Sequence, residues 1–153
     1  SIMSIPRIEY SKGNFCMYRE AYTRNNKATL GIMLKLDEEK KKVLDTLHQR
    51  PIDIFKAGGF MGEDKLESFY RYSESSDRAI SPTSVHSRYI TEDVSEGLVL
   101  MESIAHHIGL ELPVTSSLIT LASVALGIDF RKTGRTIQRL GIINEIDMLH
   151  EGR

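Results

Sequence analysis

Hydrophobic positions recur at helical spacing between residues 87 and 109. Five apolar side chains repeat there at intervals of three and four residues: Val94, Leu98, Met101, Ala105 and Ile108. This spacing is typical of a helix that buries one face in a hydrophobic core. Gly109 and Pro113 follow the stripe and favour the end of the helix. We therefore predict an amphipathic helix that begins after a long polar loop.

Two further helical patterns precede this helix. Apolar positions predict a long helix at 27–50, which Asn25 or Asn26 can cap with a side-chain oxygen. A shorter pattern predicts a helix at 64–72. Residues 73–87 contain six serines and no periodicity, so we expect a loop there.

The N-terminal residues predict the one piece of β-structure in the chain. Two short runs, 7–10 and 15–18, flank the turn-prone tetrapeptide Ser11-Lys12-Gly13-Asn14. Gly13 can adopt a positive φ at no steric cost, which suits a tight turn. We therefore predict a small β-hairpin at this end of the chain.

The last third of the chain predicts one central helix and two short ones. The segment that follows Thr115 and Ser116, either of which can cap it, is apolar on nearly every face. We therefore place this helix in the middle of the fold. Short patterns at 135–140 and 145–150 predict two closing helices joined through a glycine. The predicted fold class is all-α, a helical bundle with one small N-terminal hairpin.

Length and composition describe an ordinary globular domain. The chain has 153 residues, 41% hydrophobic and 27% charged, which predicts a single helical domain spanning 1–153. Its 20 basic and 21 acidic residues give a net charge of −1, so we expect no binding to nucleic acid. No apolar run has the length of a membrane span, so we expect no membrane association. Cys16 is the single cysteine, which excludes an internal disulfide and favours the reducing cytoplasm.

The sequence offers few groups for chemistry. The glycines of GGFMG at 58–62 lack the spacing and the preceding strand of a dinucleotide-binding loop. His106 and His107 are adjacent and point to different faces of a helix, so we expect no metal site. Cys16 lies in the predicted hairpin and has the character of a small buried hydrophobic residue.

Arg88 and Asp93 form a charged pair at the start of the predicted amphipathic helix. Asp93 can be a helix N-cap, because Glu96 three residues later completes a capping box. Arg88 can be a surface guanidinium. Both can instead belong to a functional site that the long loop presents. The spacing by itself leaves these alternatives open.

A family resemblance rests on six segments distributed along most of the chain. They are PRIEYSKGNFCMYREAYT at 6–23, LDEEKKKV at 36–43, RYITEDV at 88–94, GL at 97–98, the Gly-then-Pro segment at 109–113 and GRTIQRLGI at 134–142. In this order they resemble the C-terminal helical domain of the opine dehydrogenases, the octopine and nopaline dehydrogenase family. Several motifs agree, so the resemblance is specific.

The resemblance implies a fold and an activity. Members of the family reduce the imine formed between an amino acid and a 2-oxo acid, using NADH or NADPH. An N-terminal Rossmann domain carries the NAD or NADP. The helical domain, similar to the C-terminal helical domain of 6-phosphogluconate dehydrogenase, closes over the substrates. The Rossmann domain is absent from this chain, so we expect the chain alone to be inactive.

The resemblance also implies site residues. Arg88 would hold a substrate carboxylate, and Asp93 would orient a catalytic histidine and stabilise its charged form. Tyr89 and Thr91 would line the substrate cleft. In the family the histidine stands shortly before the segment that corresponds to IPRIEY, whereas the first histidine here is His48. Either a parent chain supplies the histidine upstream of this segment, or the protein lacks it.

Two other classes of protein stay open. The chain can be the helical domain of another NAD(P)-dependent dehydrogenase that acts on a 2-hydroxy or 2-oxo acid, because fold alone does not fix the substrate. It can also be a helical interaction module without chemistry. Helical partner domains often dimerise, so a homodimer is a further expectation.

Overall fold

The computed structural model describes residues 1–75 and 81–153, and those ranges contain no β-strand. The helices, in chain order, are a 3-10 turn at Ile2–Ser4, α1 at Ile5–Ser11, α2 at Met17–Ala21, α3 at Lys27–Thr46, α4 at Ile54–Ala57, α5 at Lys65–Ser75, α6 at Arg88–Glu92, a π-helical turn at Asp93–Leu98, α7 at Val99–His107, α8 at Pro113–Leu126, α9 at Phe130–Thr133, α10 at Ile137–Leu140 and α11 at Ile143–His150. The prediction of an all-α fold is confirmed.

The predicted N-terminal β-hairpin is wrong. Residues 7–10 lie within α1, and residues 15–18 lead into α2. Pro6 favours a helix here because proline fits the first helical turn, and Ile8 is fully buried on one face of that helix. The predicted turn does form at Gly13, where φ is 82°, but it joins two helices.

The two helices predicted in the first half of the chain are present with different ends. α3 begins at the predicted cap, because the Asn26 side chain accepts a hydrogen bond from Thr29 N–H at 3.2 Å. It ends at Thr46, earlier than predicted. The helix predicted at 64–72 is α5, which continues to Ser75.

The remaining predicted segments are partly described. Of the loop predicted at 73–87, residues 76–80 lie outside the described residues, and 81–87 contain no helix. The two short closing helices are confirmed as α10 and α11. Gly141 lies between them in the left-handed conformation, with φ of 68°.

The predicted amphipathic helix begins earlier than the hydrophobic stripe. It runs without interruption from Arg88 through α6, the π turn and α7 to His107. The predicted stripe is buried at Val94, Ala105 and Ile108 and partly buried at Leu98 and Met101. Val99 occupies the core position that follows Val94, because the π turn contains one residue more than an α-helical turn.

α8 packs against α3, α7, α9 and the π turn, but it is not buried on every face as predicted. Its buried residues are Thr115, Leu118, Ile119, Ala122 and Leu126. Leu121 and Val124 are 56% and 79% exposed, so one apolar face of the helix is in contact with solvent. The helix ends at Gly127, whose φ of 67° is favourable for glycine.

The N-terminus of α8 is capped by a side chain from another helix. The helix begins at Pro113, so the predicted caps, Thr115 and Ser116, lie inside it and that prediction is wrong. The buried Glu39 carboxylate on α3 accepts hydrogen bonds from Val114 N–H and Thr115 N–H, both at 2.8 Å. It also accepts a hydrogen bond from the Thr115 hydroxyl at 2.7 Å. The two backbone N–H groups have no partner within α8, and the helix dipole favours a negative charge at this end.

A second buried carboxylate joins α7 to α9. Glu102 accepts hydrogen bonds from Arg131 Nε at 2.7 Å and from Arg131 Nη2 at 2.8 Å. Arg131 also donates to Ser116 O and Thr120 Oγ1 on α8, both at 3.0 Å. The Arg131 hydrogen bonds lower the pKa of the Glu102 carboxyl below its ordinary value of 4.5, against the opposite effect of burial.

Three hydrophobic clusters fill the space between the helices. The first lies between α1, α6, the π turn, α8 and α9, and Ile8, Ile90 and Ile119 are fully buried in it. The second joins the end of α3 to α7, α10 and α11. The third is rich in aromatic rings from α4 and α5, which pack under the start of α3.

No single helix in the described ranges is long and apolar enough to cross a membrane. Pro113–Leu126 and Phe130–Leu140 reach that length and composition only as a pair, and the chain bends by 101° between them.

Replacement of Glu39 tests the cap of α8. We expect Glu39→Ala to lower the free energy of unfolding by about 2–4 kcal/mol, because three donors then lose a buried charged acceptor. Urea unfolding followed by circular dichroism measures the change. Glu38→Ala, on the exposed face of the same helix, is the matched control and should change it by no more than about 0.5 kcal/mol. Equal effects of the two variants would contradict the cap.

The Glu102–Arg131 pair makes stability depend on pH. Because the native pKa of Glu102 is lowered, its ionised form stabilises the fold fully above the ordinary value of 4.5, and this stabilisation is lost as the pH falls through the native pKa. The difference in unfolding free energy between wild type and Glu102→Gln should therefore be constant near neutral pH and shrink in acid. Denaturant unfolding at pH 7, 5 and 3.5 or so measures it. A difference that stays the same at every pH would contradict the assignment.

Candidate functional site

A cavity of about 620 Å³ lies between the first residues of the chain, α3, the π turn and α8. Most of its walls are apolar, formed by Ile2, Met3, Tyr22, Ile32, Met33, Leu36, Leu98 and Leu118. The charged side chains on the described walls are Glu92, Asp93 and Glu96, which all belong to one helix. The cavity therefore suits a ligand with an apolar body and a cationic or hydrogen-bond-donating group.

Two of the three carboxylates are paired with arginines outside the cavity. Glu92 Oε2 is 3.6 Å from Arg88 Nε, and Glu96 Oε2 is 3.0 Å from Arg135 Nη2. Within the described ranges Asp93 forms no ion pair with a side chain. Among the three, Asp93 is therefore the carboxylate that is available to a ligand.

The cavity changes the acidity of Asp93. Burial raises the pKa of the Asp93 carboxyl, the ammonium group of Ser1 lowers it, and the neighbouring Glu92 raises it further. The net direction is upward. Such a carboxylate is stabilised by a cationic partner placed beside it in the cavity.

The other three predicted site residues do not line this cavity. The Arg88 side chain is 74% exposed, and Tyr89 is 61% exposed. The Thr91 hydroxyl donates a hydrogen bond to Ser87 O at 3.2 Å, within its own helix. Residues five apart on an α-helix are separated by about 140° around its axis, so Arg88 and Asp93 point in different directions. The structure thus brings Asp93 into the cavity and leaves Arg88 at its margin, beside Glu92.

The capping-box interpretation of Asp93 is wrong. The helix begins at Arg88, so Asp93 lies inside it, at the start of the π turn. Sequence reasoning missed this turn, and π turns are frequent at functional sites. Two signals were available: Gly97 in the middle of a helix, and an apolar valine at position 99 beside the predicted stripe.

The described residues do not form a nucleotide site or a metal site. The charged side chains on the described cavity walls are carboxylates, which do not suit the phosphates of a dinucleotide. GGFMG at 58–62 follows α4 rather than a strand. In the described ranges no group of three His, Cys, Asp or Glu side chains could hold a metal ion. His107 Nε2 is 2.6 Å from Asp147 Oδ1, so this histidine links α7 to α11.

A second, more open recess of about 420 Å³ lies between α7, α9 and α10. Its walls include His106, His107, Arg131 and Glu102. The Arg131 guanidinium is already engaged by the Glu102 carboxylate and by two oxygens of Ser116, at 2.8 Å and 3.0 Å. The recess therefore presents a satisfied structural ion pair, and the Asp93 cavity is the better candidate for a site.

The family resemblance of the sequence is supported by comparison with known proteins. Opine dehydrogenase of Arthrobacter sp. (strain 1C) is 36% identical over 61 residues, which are 40% of this chain and 17% of that protein. Protein ocs of Agrobacterium vitis is 29% identical over 113 residues, 72% of this chain and 32% of that protein. Vitopine synthase of Allorhizobium ampelinum is 39% identical over 62 residues, 40% of this chain and 17% of that protein.

The chain spans about a third of the length of these curated relatives or less. Residues 1–126 match the family described as NAD/NADP octopine/nopaline dehydrogenase, alpha-helical domain. Because this match covers most of the chain, the chain belongs to the NAD/NADP octopine/nopaline dehydrogenase family and contains its alpha-helical domain.

Proposed function

We propose that this chain is the substrate-binding helical part of an enzyme that reduces the imine of an amino acid and a 2-oxo acid with NADH or NADPH. Membership of the family and the names of its relatives support an oxidoreductase of the opine dehydrogenase type. The observation that carries the proposal is the position of Asp93, a carboxylate that lies on the wall of a largely apolar cavity and forms no ion pair with a described side chain.

The nucleotide would be bound elsewhere in the full-length enzyme. The matched residues cover a third or less of each relative, and the described cavity has no cationic side chain for phosphates. We propose that a Rossmann domain in the rest of the enzyme holds the NAD or NADP and closes against the cavity. The nucleotide supplies the hydride, and this chain would hold and orient the imine. Alone, the chain should not turn over.

Asp93 would be the partner of a catalytic histidine. Ser1 lines the same cavity as Asp93. In a longer chain the residue before Ser1 would adjoin this cavity. A histidine there would gain a proton more readily, because Asp93 stabilises its charged form. The histidines of this chain do not line the described cavity, so we assign none of them this role.

Arg88 would hold a substrate carboxylate at the margin of the cavity. Its present ion pair with Glu92 is an exposed pair within one helix, worth only about 0.3–0.5 kcal/mol. The guanidinium can therefore exchange Glu92 for a substrate carboxylate at small cost, with a bidentate geometry that lysine cannot provide. Tyr89 and Thr91 lie on the same turn and would contribute to the cleft when the second domain closes.

Three further expectations stay predictions. We expect residues 1–153 to form one domain of the enzyme, the enzyme to form a homodimer, and its location to be the cytoplasm. Size-exclusion chromatography with light scattering would measure the oligomeric state.

The assay of Arg88→Ala in the full-length enzyme tests the proposed clamp. Turnover should fall by about two to three orders of magnitude, because an unclamped imine is misplaced relative to the hydride donor. The Kd of the nucleotide should stay nearly unchanged. Arg50→Ala, an exposed arginine away from the cavity, is the matched control and should behave as wild type. Wild-type kinetics of Arg88→Ala would remove Arg88 from the site.

Asp93→Asn tests the carboxylate that carries the proposal. The wild-type enzyme should oxidise NADH or NADPH only when an amino acid and a 2-oxo acid are both present, and mass spectrometry should detect the N-(carboxyalkyl) amino acid. In Asp93→Asn, kcat should fall by about 100-fold or more, because the histidine loses its orienting charge. Product formation at the wild-type rate by this variant would show that Asp93 is not part of the site.

A further inference from the structure

The helix that carries Asp93 is bonded to a segment from far along the chain. In the π turn, Val99 N–H donates to Val94 O, five residues back, instead of to Ser95 O, four residues back. The Ser95 carbonyl accepts the N–H of Arg135 at 2.8 Å. The backbone of residue 135 thus occupies a hydrogen-bonding position that a regular α-helix would use for itself.

Gly134 permits this close approach because it has no side chain. A Cβ atom built on Gly134 would lie 2.7 Å from Ser95 O and 2.6 Å from Phe130 O. It would also lie 3.1 Å from Val99 Cβ. The φ of Gly134 is −74°, so any residue could adopt its conformation, and space is what requires glycine here.

The side chain of Arg135 makes a second contact with the π turn. Its Nη2 atom is 3.0 Å from Glu96 Oε2, and Glu96 is on the cavity wall. Both side chains are about half exposed, so this ion pair contributes little alone. The backbone bond and the tight fit at Gly134 are therefore the main contacts.

The π turn determines which side chains face the cavity. With the extra residue, Val99 follows Val94 in the core, and Gly97 and Leu98 line the cavity beside Asp93. In a regular α-helix Leu98 would take the core position after Val94. The residues before the turn would then be rotated by about 100° around the helix axis relative to α7. π turns are rare, and the Ser95 carbonyl of this one is bonded from outside the helix, by Arg135 N–H.

We propose that Gly134 and Arg135 are positioning residues that hold the π turn in place and thereby keep Asp93 and Glu96 directed into the cavity. This inference rests on the proposed function, because it assigns the two residues a part in that site. They lie beyond the family match at 1–126, so the role follows from the contacts described above. Neither residue touches the cavity itself.

The test compares Gly134→Ala with Gly31→Ala in the full-length enzyme. Gly31 lies in α3 with nothing within 4 Å of an added Cβ, so it is a matched control that should keep wild-type kinetics. Gly134→Ala should lower kcat by about 10- to 100-fold, because the cavity residues are displaced by an ångström or more. The KM for the nucleotide should not change. A substitution that only loosened the fold would lower the melting temperature and leave kcat per folded molecule as it was.

Hydrogen exchange of the π turn gives a readout that does not depend on activity. Amides at 95–100 should exchange faster in Gly134→Ala than in wild type, while those of α8 keep their protection. If Gly134→Ala does not fold, Arg135→Ala, which keeps the backbone N–H, should lower kcat by about twofold to fivefold with an unchanged KM for the nucleotide.

The outcomes separate the two proposals. Suppose that the wild-type enzyme is active. The positioning role would be overturned, and the proposed function left intact, if Gly134→Ala folds and keeps its kcat. The same holds if Gly134→Ala does not fold and Arg135→Ala keeps its kcat. A wild-type enzyme that shows no dependence on amino acid and 2-oxo acid would overturn both. Unchanged exchange at 95–100 in Gly134→Ala would overturn the positioning role whatever the activity.

Discussion

The fold depends on a buried carboxylate. Glu39 reaches from α3 to the N-terminus of α8 and accepts three hydrogen bonds there, two of them from backbone amides. A buried charge is tolerated only when its partners satisfy it, and here the partners are the amides that the helix leaves unpaired. α8 in turn packs against α3, α7, α9 and the π turn. The angle at which α3 meets α8 is therefore set by a charge as well as by apolar contact.

The cavity is a consequence of this arrangement. α3 and α8 meet at Glu39, and the walls of the cavity come from these two helices, the π turn and the first residues of the chain. Arg131 on α9 holds α7 and α8 together, because it donates hydrogen bonds to Glu102 on α7 and to Thr120 on α8. Helices joined by satisfied buried charges thus support the wall on which Asp93 lies.

The features that the sequence predicted are local ones. The Asn26 cap and the glycine that ends α8 involve contacts within a few residues, which a linear pattern contains. The hairpin failed because a turn signal at Gly13 is equally compatible with two helices. The Glu39 cap joins residues 75 positions apart, so no local pattern indicates it. Family motifs made Asp93 a proposed site residue, whereas helical spacing alone made it a helix cap.

The π turn also has an evolutionary meaning. It differs from an uninterrupted helix by one residue, so the loss of a single codon near Gly97 would restore regular winding between Val94 and α7. Such a deletion would present a different set of side chains to the cavity. Two versions of this helix that present different side chains to the cavity therefore differ by the insertion of a single residue.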